Sequence, residues 1–264
     1  MRDFYAPSAP APLDQAHGLR RMFAGTRQRI IPLAANPHVA FTGVVIDQIT
    51  AVLAARGHRV LVVDAADRSP TPHEMARLDL GAGIENLSSQ IGYLAARGLP
   101  LAFVDTRGSA AGFIDAVLAA APKADVVLLH ANASDLARMF MRRPARPVLL
   151  GADHPESIKH AYATCKLLAQ RCQLMTFDLV LAADAASRRV PSIAASLASC
   201  ADGFLGAVLH DWAVIDPAAE PQQGGDVALA RLLDAQMSLS EEPLRVTSGP
   251  AGQAMPGRRT EAPQ

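Results

Sequence analysis

The sequence predicts an α/β fold, a mostly parallel central sheet with helices on both faces. Three observations predict it. Short apolar runs recur without strict alternation, as strands buried on both faces require. Helical patterns separate these runs, and such alternation builds a parallel sheet through crossover connections. The chain has 264 residues, half of them hydrophobic, enough for one large α/β domain or two small ones.

Taken in order, residues 1–12 are rich in Pro and Ala and read as an arm. Residues 14–24, DQAHGLRRMFA, read as a short helix with Asp14 as its N-cap and Ala16, Leu19, Met22 and Phe23 on its apolar side. Strands are expected at 30–35, 60–63, 99–104, 126–129, 147–150 and 179–183, with a last pair near 204–209 and 212–215. Helices are expected at 43–56, 84–97, 109–121, 155–171 and 188–201. The stretch 155–171 is the clearest. Ile158, Ala161, Tyr162, Cys165, Leu168 and Ala169 share one helical face, and Pro155 and Glu156 suit a first turn. Residues 66–83 are irregular and read as a long loop. After Asp216-Pro217 a linker leads to one more helix at 226–239, and 240–264 read as a disordered tail. The organisation is an N-terminal arm (1–29), an α/β domain (30–217) and a C-terminal helix with its tail (218–264).

Composition excludes several function classes. With 25 basic and 25 acidic residues the net charge is zero, which argues against a dedicated nucleic-acid binder. No apolar run approaches the roughly 18 residues of a membrane span, and MRDFYAPSAPAP contains no apolar signal segment. A cytoplasmic location is expected. Three cysteines without CxxC or Cys/His spacing read as reduced thiols. His38, His130 and His154 fall in separate loops, so no metal is expected.

In open parallel sheets, ligands bind beyond the carboxyl ends of the strands. Those positions hold Asn36 to Gly43, then Asp64 with Asp67 nearby, Asp105, His130 with Asn132, and Asp153 with His154. They could form an active site. They could equally cap helices, because Asp before a helix satisfies its free N–H groups. No Ser-His-Asp or GxSxG pattern accompanies them. The first loop lacks what a phosphate-binding loop needs. Thr42 is present, but Phe41 stands where a Lys would be, no Gly precedes Thr42 in the loop, and Pro37 removes an N–H donor.

Four stretches carry a resemblance: DQAHGLR (14–20), the segment 30–64 ending in GHRVLVVDAAD, ADVVLLHANAS (124–134) and RPVLLGADHPESIKHAYATCKLL (146–168). FLGAVLHDWAVIDP (204–217) adds to them. Together they resemble the MinD/ParA family of deviant P-loop ATPases, in its branch of flagellar-number regulators, over about residues 14–217. The resemblance implies a P-loop NTPase fold. It also implies that the DQAxxLR segment binds an FlhF-like GTPase of the signal-recognition-particle type and stimulates its GTP hydrolysis. Gln15 would reach the partner's nucleotide site, Asp14 would cap or position the helix with Ala16 beside it, Leu19 would pack on the partner, and Arg20 would add a polar contact.

The departures from the family pattern fall on its chemistry. Asn36 stands at the signature Lys and Phe41 at the phosphate Lys, while His38 and Ala40 replace glycines. His130 replaces the Walker B Asp. Asp64 survives, but Ala66 replaces a second Asp, and Ala182 or Ala183 stands near the usual adenine-reading Asn. The chain has only three lysines, Lys123, Lys159 and Lys166, so none lies in the half that holds this loop. Phosphoryl transfer depends on cations that stabilise phosphate charge. The expectation is a pseudo-ATPase with its ATP and Mg²⁺ site lost, and hence a monomer or nucleotide-independent dimer acting by protein contact, with flagellar basal-body components as further partners. The helix at 226–239 is a candidate for the family's membrane-targeting helix. It holds only Arg231 against Asp226 and Asp234, so a packing helix is expected and membrane association is weak or absent. Two alternatives stay open. One is an α/β enzyme with a repurposed pocket built from Asp64, Asp105, His130 and Asp153. The other is a scaffold with no GTPase role.

Overall fold

The computed structural model describes residues 28–184, 186–219 and 226–239. The DQAHGLR segment and the tail after 239 lie outside them. In chain order the elements are β1 (Arg29–Ala34), α1 (Thr42–Ala55), β2 (Val60–Asp64), β3 (Glu85–Asn86), β4 (Ile91–Ala95), α2 (Ala111–Ala120), β5 (Val126–Ala131) and α3 (Ala133–Met139). They continue with β6 (Val148–Ala152), α4 (Pro155–Cys172), β7 (Thr176–Ala182), α5 (Val190–Leu205), β8 (Val208–Ile215) and α6 (Val227–Met237). The strands form one sheet in the order β3-β4-β2-β5-β1-β6-β7-β8. Among the described residues only the β3–β4 pair is antiparallel.

Central strands bury both faces because their side chains alternate between two cores. In β5, Val127 and Leu129 join one core, and Val126 and Leu128 join the other. The first core is roofed by α2 through α5, with Phe113, Leu136, Leu168 and Leu197 buried in it. The second is roofed by α1 and α6, through Ile46, Ile49, Leu53, Leu229, Leu232 and Leu233.

Local chemistry sets the helix ends. The ring of His154 caps α4, its Nδ1 accepting from Ser157 N at 3.4 Å, and Pro155 follows where no intrahelical N–H is needed. Asp226 caps α6 by accepting from Ala228 N at 2.7 Å and Leu229 N at 3.2 Å. The apolar side of α6 is buried in the second core. Its polar side is tied down by Arg231 to Asp211 (2.6 Å) and by Arg56, which follows α1, to Asp234 (2.7 Å). It is a packing helix. No helix among the described residues is long and apolar enough to cross a membrane.

The structure corrects three expectations and refines a fourth. Residues 84–97 are not a helix but the β3–β4 hairpin. The Ser88 hydroxyl accepts from Gln90 N and Ile91 N, which builds the turn. Gly92 sits where a Cβ would press on Leu61 at 3.3 Å, a close approach that favours glycine in a strand. Residues 99–104 are not a strand. Leu99–Phe103 is a 3₁₀ helix that begins after Gly98 at φ 78°, and Pro100 cannot donate to a sheet ladder. The 66–83 loop contains two 3₁₀ turns, Glu74–Arg77 and Gly81–Gly83. The last pair of strands is a single strand, β8, and residues 204–205 belong to α5. The short helix α3, hidden behind the apolar run of β5, was not expected.

Candidate functional site

The loop between β1 and α1 is pinned from inside. Asn36 is 4% exposed, and its amide Nδ2 donates to Leu150 O (2.8 Å), Ser157 O (2.9 Å) and Ser157 Oγ (3.0 Å). Its Oδ1 accepts from His38 N at 3.0 Å, and its carbonyl accepts from Val39 N at 3.0 Å. Two N–H groups of the loop are therefore turned onto the loop itself. His154 Nε2 donates to His38 O at 2.9 Å, which adds a second tie to α4. Phe41 precedes α1 in the left-handed region at φ 55° with its side chain 72% exposed. A bulky residue is strained there. The Thr42 hydroxyl donates to Val39 O at 3.1 Å.

Next to this loop, β2 and β5 end side by side with Asp64 and His130 in register. Oδ1 of Asp64 is 2.7 Å from Nδ1 of His130 and accepts from the Ser69 hydroxyl. Oδ2 accepts from Tyr93 OH at 3.3 Å. Burial pushes the Asp64 carboxyl up, but the His130 ring, the Ser69 hydroxyl and Ala66 N–H together outweigh it. The group is held below the usual carboxylate range. Burial, followed by the charge of Asp64, drives the Tyr93 phenol far above its ordinary value. A carboxylate only accepts, so Nδ1 of His130 carries the proton shared with Asp64. Nε2 is buried and has no hydrogen-bond partner among the described residues.

These residues border one cavity of about 630 Å³ at the carboxyl ends of β1, β2 and β5. Asn36, Thr42, Asp64 and His130 all line it, together with Asn132, Ser134 and His160. The other carboxylates do not join them. Asp105 does not follow a strand. Its carboxylate accepts from Arg107 N (2.9 Å) and Ser109 N (2.8 Å), which closes a turn and holds it below the usual range. Asp153 pairs with Ser187 Oγ (2.7 Å) and Arg189 Nε (3.2 Å). The four-residue pocket of Asp64, Asp105, His130 and Asp153 is thus reduced to the Asp64–His130 pair. His38 stands edge-on to His154 and His160, with ring centroids 6.1 Å and 5.8 Å apart. Burial holds His160 below its ordinary value. No group of three or more His, Cys, Asp or Glu among the described residues is arranged to hold a metal ion.

Sequence reasoning missed Ser69, Tyr93, Ser157 and His160. Ser69 and Tyr93 approach Asp64 only through loop and sheet geometry. Ser157 and His160 lie one turn apart on α4 and are polar, so a search for apolar periodicity passed over them.

No family model and no curated protein matches the chain. Solved structures do. Cobyrinic acid a,c-diamide synthase from Mycobacterium smegmatis superimposes with a TM-score of 0.54 at 17% identity, covering 79% of this chain and 93% of that one. A plasmid partition protein from Borrelia burgdorferi B31, solved with AMPPNP bound, gives 0.55 at 11% identity, with 79% and 97% covered. The MinC:MinD cell division complex from Aquifex aeolicus gives 0.51 at 10% identity, with 88% and 100% covered. The chain therefore has the P-loop NTPase fold of the MinD/ParA type. At these identities the likeness is one of fold.

Proposed function

We propose that this chain is a regulator resembling FlhG, the flagellar-number regulator, that no longer hydrolyses ATP and acts by protein contact. Its N-terminal segment, through Asp14, Gln15, Leu19 and Arg20, stimulates an FlhF-like GTPase of the signal-recognition-particle type. One observation carries the loss of hydrolysis: the amide of Asn36 is bonded to Leu150 and Ser157 where the family places a lysine. Around it, the His38 and Val39 N–H groups face inward and the Thr42 hydroxyl is held by Val39 O. A phosphate chain needs outward N–H groups and a cation to stabilise its charge. Asp64 is held by His130 rather than left open for Mg²⁺. The activator role rests on the DQAHGLR motif ahead of a fold of this type.

The test is the GTPase rate of an FlhF-like protein with and without this chain. Stimulation by the wild type that falls to the basal rate with Gln15→Ala is the expected result. Equal rates with both proteins would sink the activator role and leave the scaffold reading. Calorimetry with Mg-ATP should show no binding, and micromolar binding would overturn the lost-ATPase reading.

A further inference from the structure

The cavity at the strand ends offers a phosphate little and a hydroxyl group a good deal. Its charges are the carboxylates of Asp64 and Asp67 against the single guanidinium of Arg68, which already donates to Pro37 O at 2.9 Å. No lysine lines it. A phosphate would meet a net negative wall. A neutral ligand would not, and Val39, Ile46 and Leu167 supply apolar surface for its body. The volume of about 630 Å³ falls within the roughly 300–1,000 Å³ of small-molecule sites.

Inside this frame, one polar side chain is both fixed and unsatisfied. His130 is 6% exposed, its Nδ1 is 2.7 Å from Asp64, and its Nε2 has no partner among the described residues. Asp64 is itself held by Ser69 and Tyr93, so the ring is oriented from behind by a saturated carboxylate. In the neutral ring, with the Nδ1 proton directed at Asp64, Nε2 presents a lone pair. A buried acceptor without a donor is unfavourable, and buried polar groups are as a rule paired. The side chains of Asn132 and Ser134, also on the cavity, make no hydrogen bond among the described residues and add further polar handles.

We propose that this cavity binds an uncharged, hydroxyl-bearing small molecule whose O–H donates to Nε2 of His130. The site goes beyond the regulator reading and does not depend on it.

The experiment is histidine side-chain ¹⁵N NMR on the full chain at neutral pH, with phenol, toluene and inorganic phosphate as probes. Nε2 of His130 should be unprotonated. Phenol should shift it in a saturable way, while toluene, which lacks the hydroxyl, and phosphate should leave it unmoved. The double variant Asp64→Asn/His130→Phe removes the charge together with its partner, so that neither is left buried alone. Once its fold is checked by circular dichroism, it should bind phenol about tenfold more weakly, the loss of one hydrogen bond. A protonated Nε2, equal shifts from phenol and toluene, a shift from phosphate, or undiminished phenol binding by the folded variant would each overturn the site.

Discussion

The side-chain amide of Asn36 donates to both oxygens of Ser157, at 2.9 Å to the carbonyl and 3.0 Å to the hydroxyl. Ser157 Oγ in turn accepts from Ala152 N at 2.9 Å, so the loop after β1, the end of β6 and the first turn of α4 are joined in one buried network. Asn36→Ala removes the donor and leaves buried carbonyls unpaired. We expect a loss of about 2 kcal/mol, read from the urea midpoint. Asn36→Lys/Phe41→Lys, which restores both lysines, should not restore ATP hydrolysis, because the inward N–H groups and His130 remain. Measurable phosphate release would contradict this.

Phe41 occupies the left-handed region with its ring largely in solvent. Its burial contributes little, and its backbone strain costs about 1–2 kcal/mol. Glycine adopts this conformation freely but gains entropy when unfolded. Phe41→Gly should therefore stabilise the fold by about 0.5–1 kcal/mol in equilibrium denaturation. A destabilised variant would mean that the exposed ring makes contacts the fold relies on.

Acid sensitivity should pass through Asp64. Its folded pKa lies below the ordinary carboxylate value, so the stability it contributes is fully present above that value. It is lost as pH falls from about 4 through the folded value. The gap in melting temperature between wild type and Asp64→Asn should be widest at pH 5–6 and shrink towards pH 3. A gap independent of pH would contradict the sign.

Gln236 of α6 donates to Asp178 Oδ2 at 2.7 Å and to Arg146 O at 2.9 Å, deep beneath the helix. Arg146 Nε also lies 2.9 Å from Asp178 Oδ2, and Asp178 is fully buried. Gln236→Leu strips a donor from a buried carboxylate and should cost about 2 kcal/mol. Leu232→Ala should cost about 3 kcal/mol and still give one unfolding transition, because Leu232 shares a core with β1 and β2. Two separate transitions would show that α6 unfolds on its own.

The expectations that held rest on strong periodicity. The helix at Pro155–Cys172 was legible because its apolar face repeats for five turns and its first turn starts with proline. The strands β1, β2, β5 and β6 were legible because buried parallel strands are uninterrupted apolar runs. The errors gathered in 84–104, where Leu87, Ile91 and Leu94 fall at helical spacing by accident. There the Ser88 turn and the cramped Gly92 decide for a hairpin. Pairing with β2 overrides local propensity.

Of the site, the sequence named Asn36, Phe41 and His130 as positions that depart from a phosphate-binding pattern, and Thr42 and Asp64 as positions that keep it. It could not say what they do instead. By itself it determined the α/β class, because hydrophobic periodicity is a local property of the chain. It also determined that no lysine stands in the loop after β1. The tertiary structure alone decided that Asp64 and His130 form a pair while Asp105 and Asp153 turn elsewhere. These four residues are spread over 90 positions, and sheet order brings only β2 and β5 side by side. Which polar side chains meet depends on strand register and loop path, and neither is written in any one stretch of sequence.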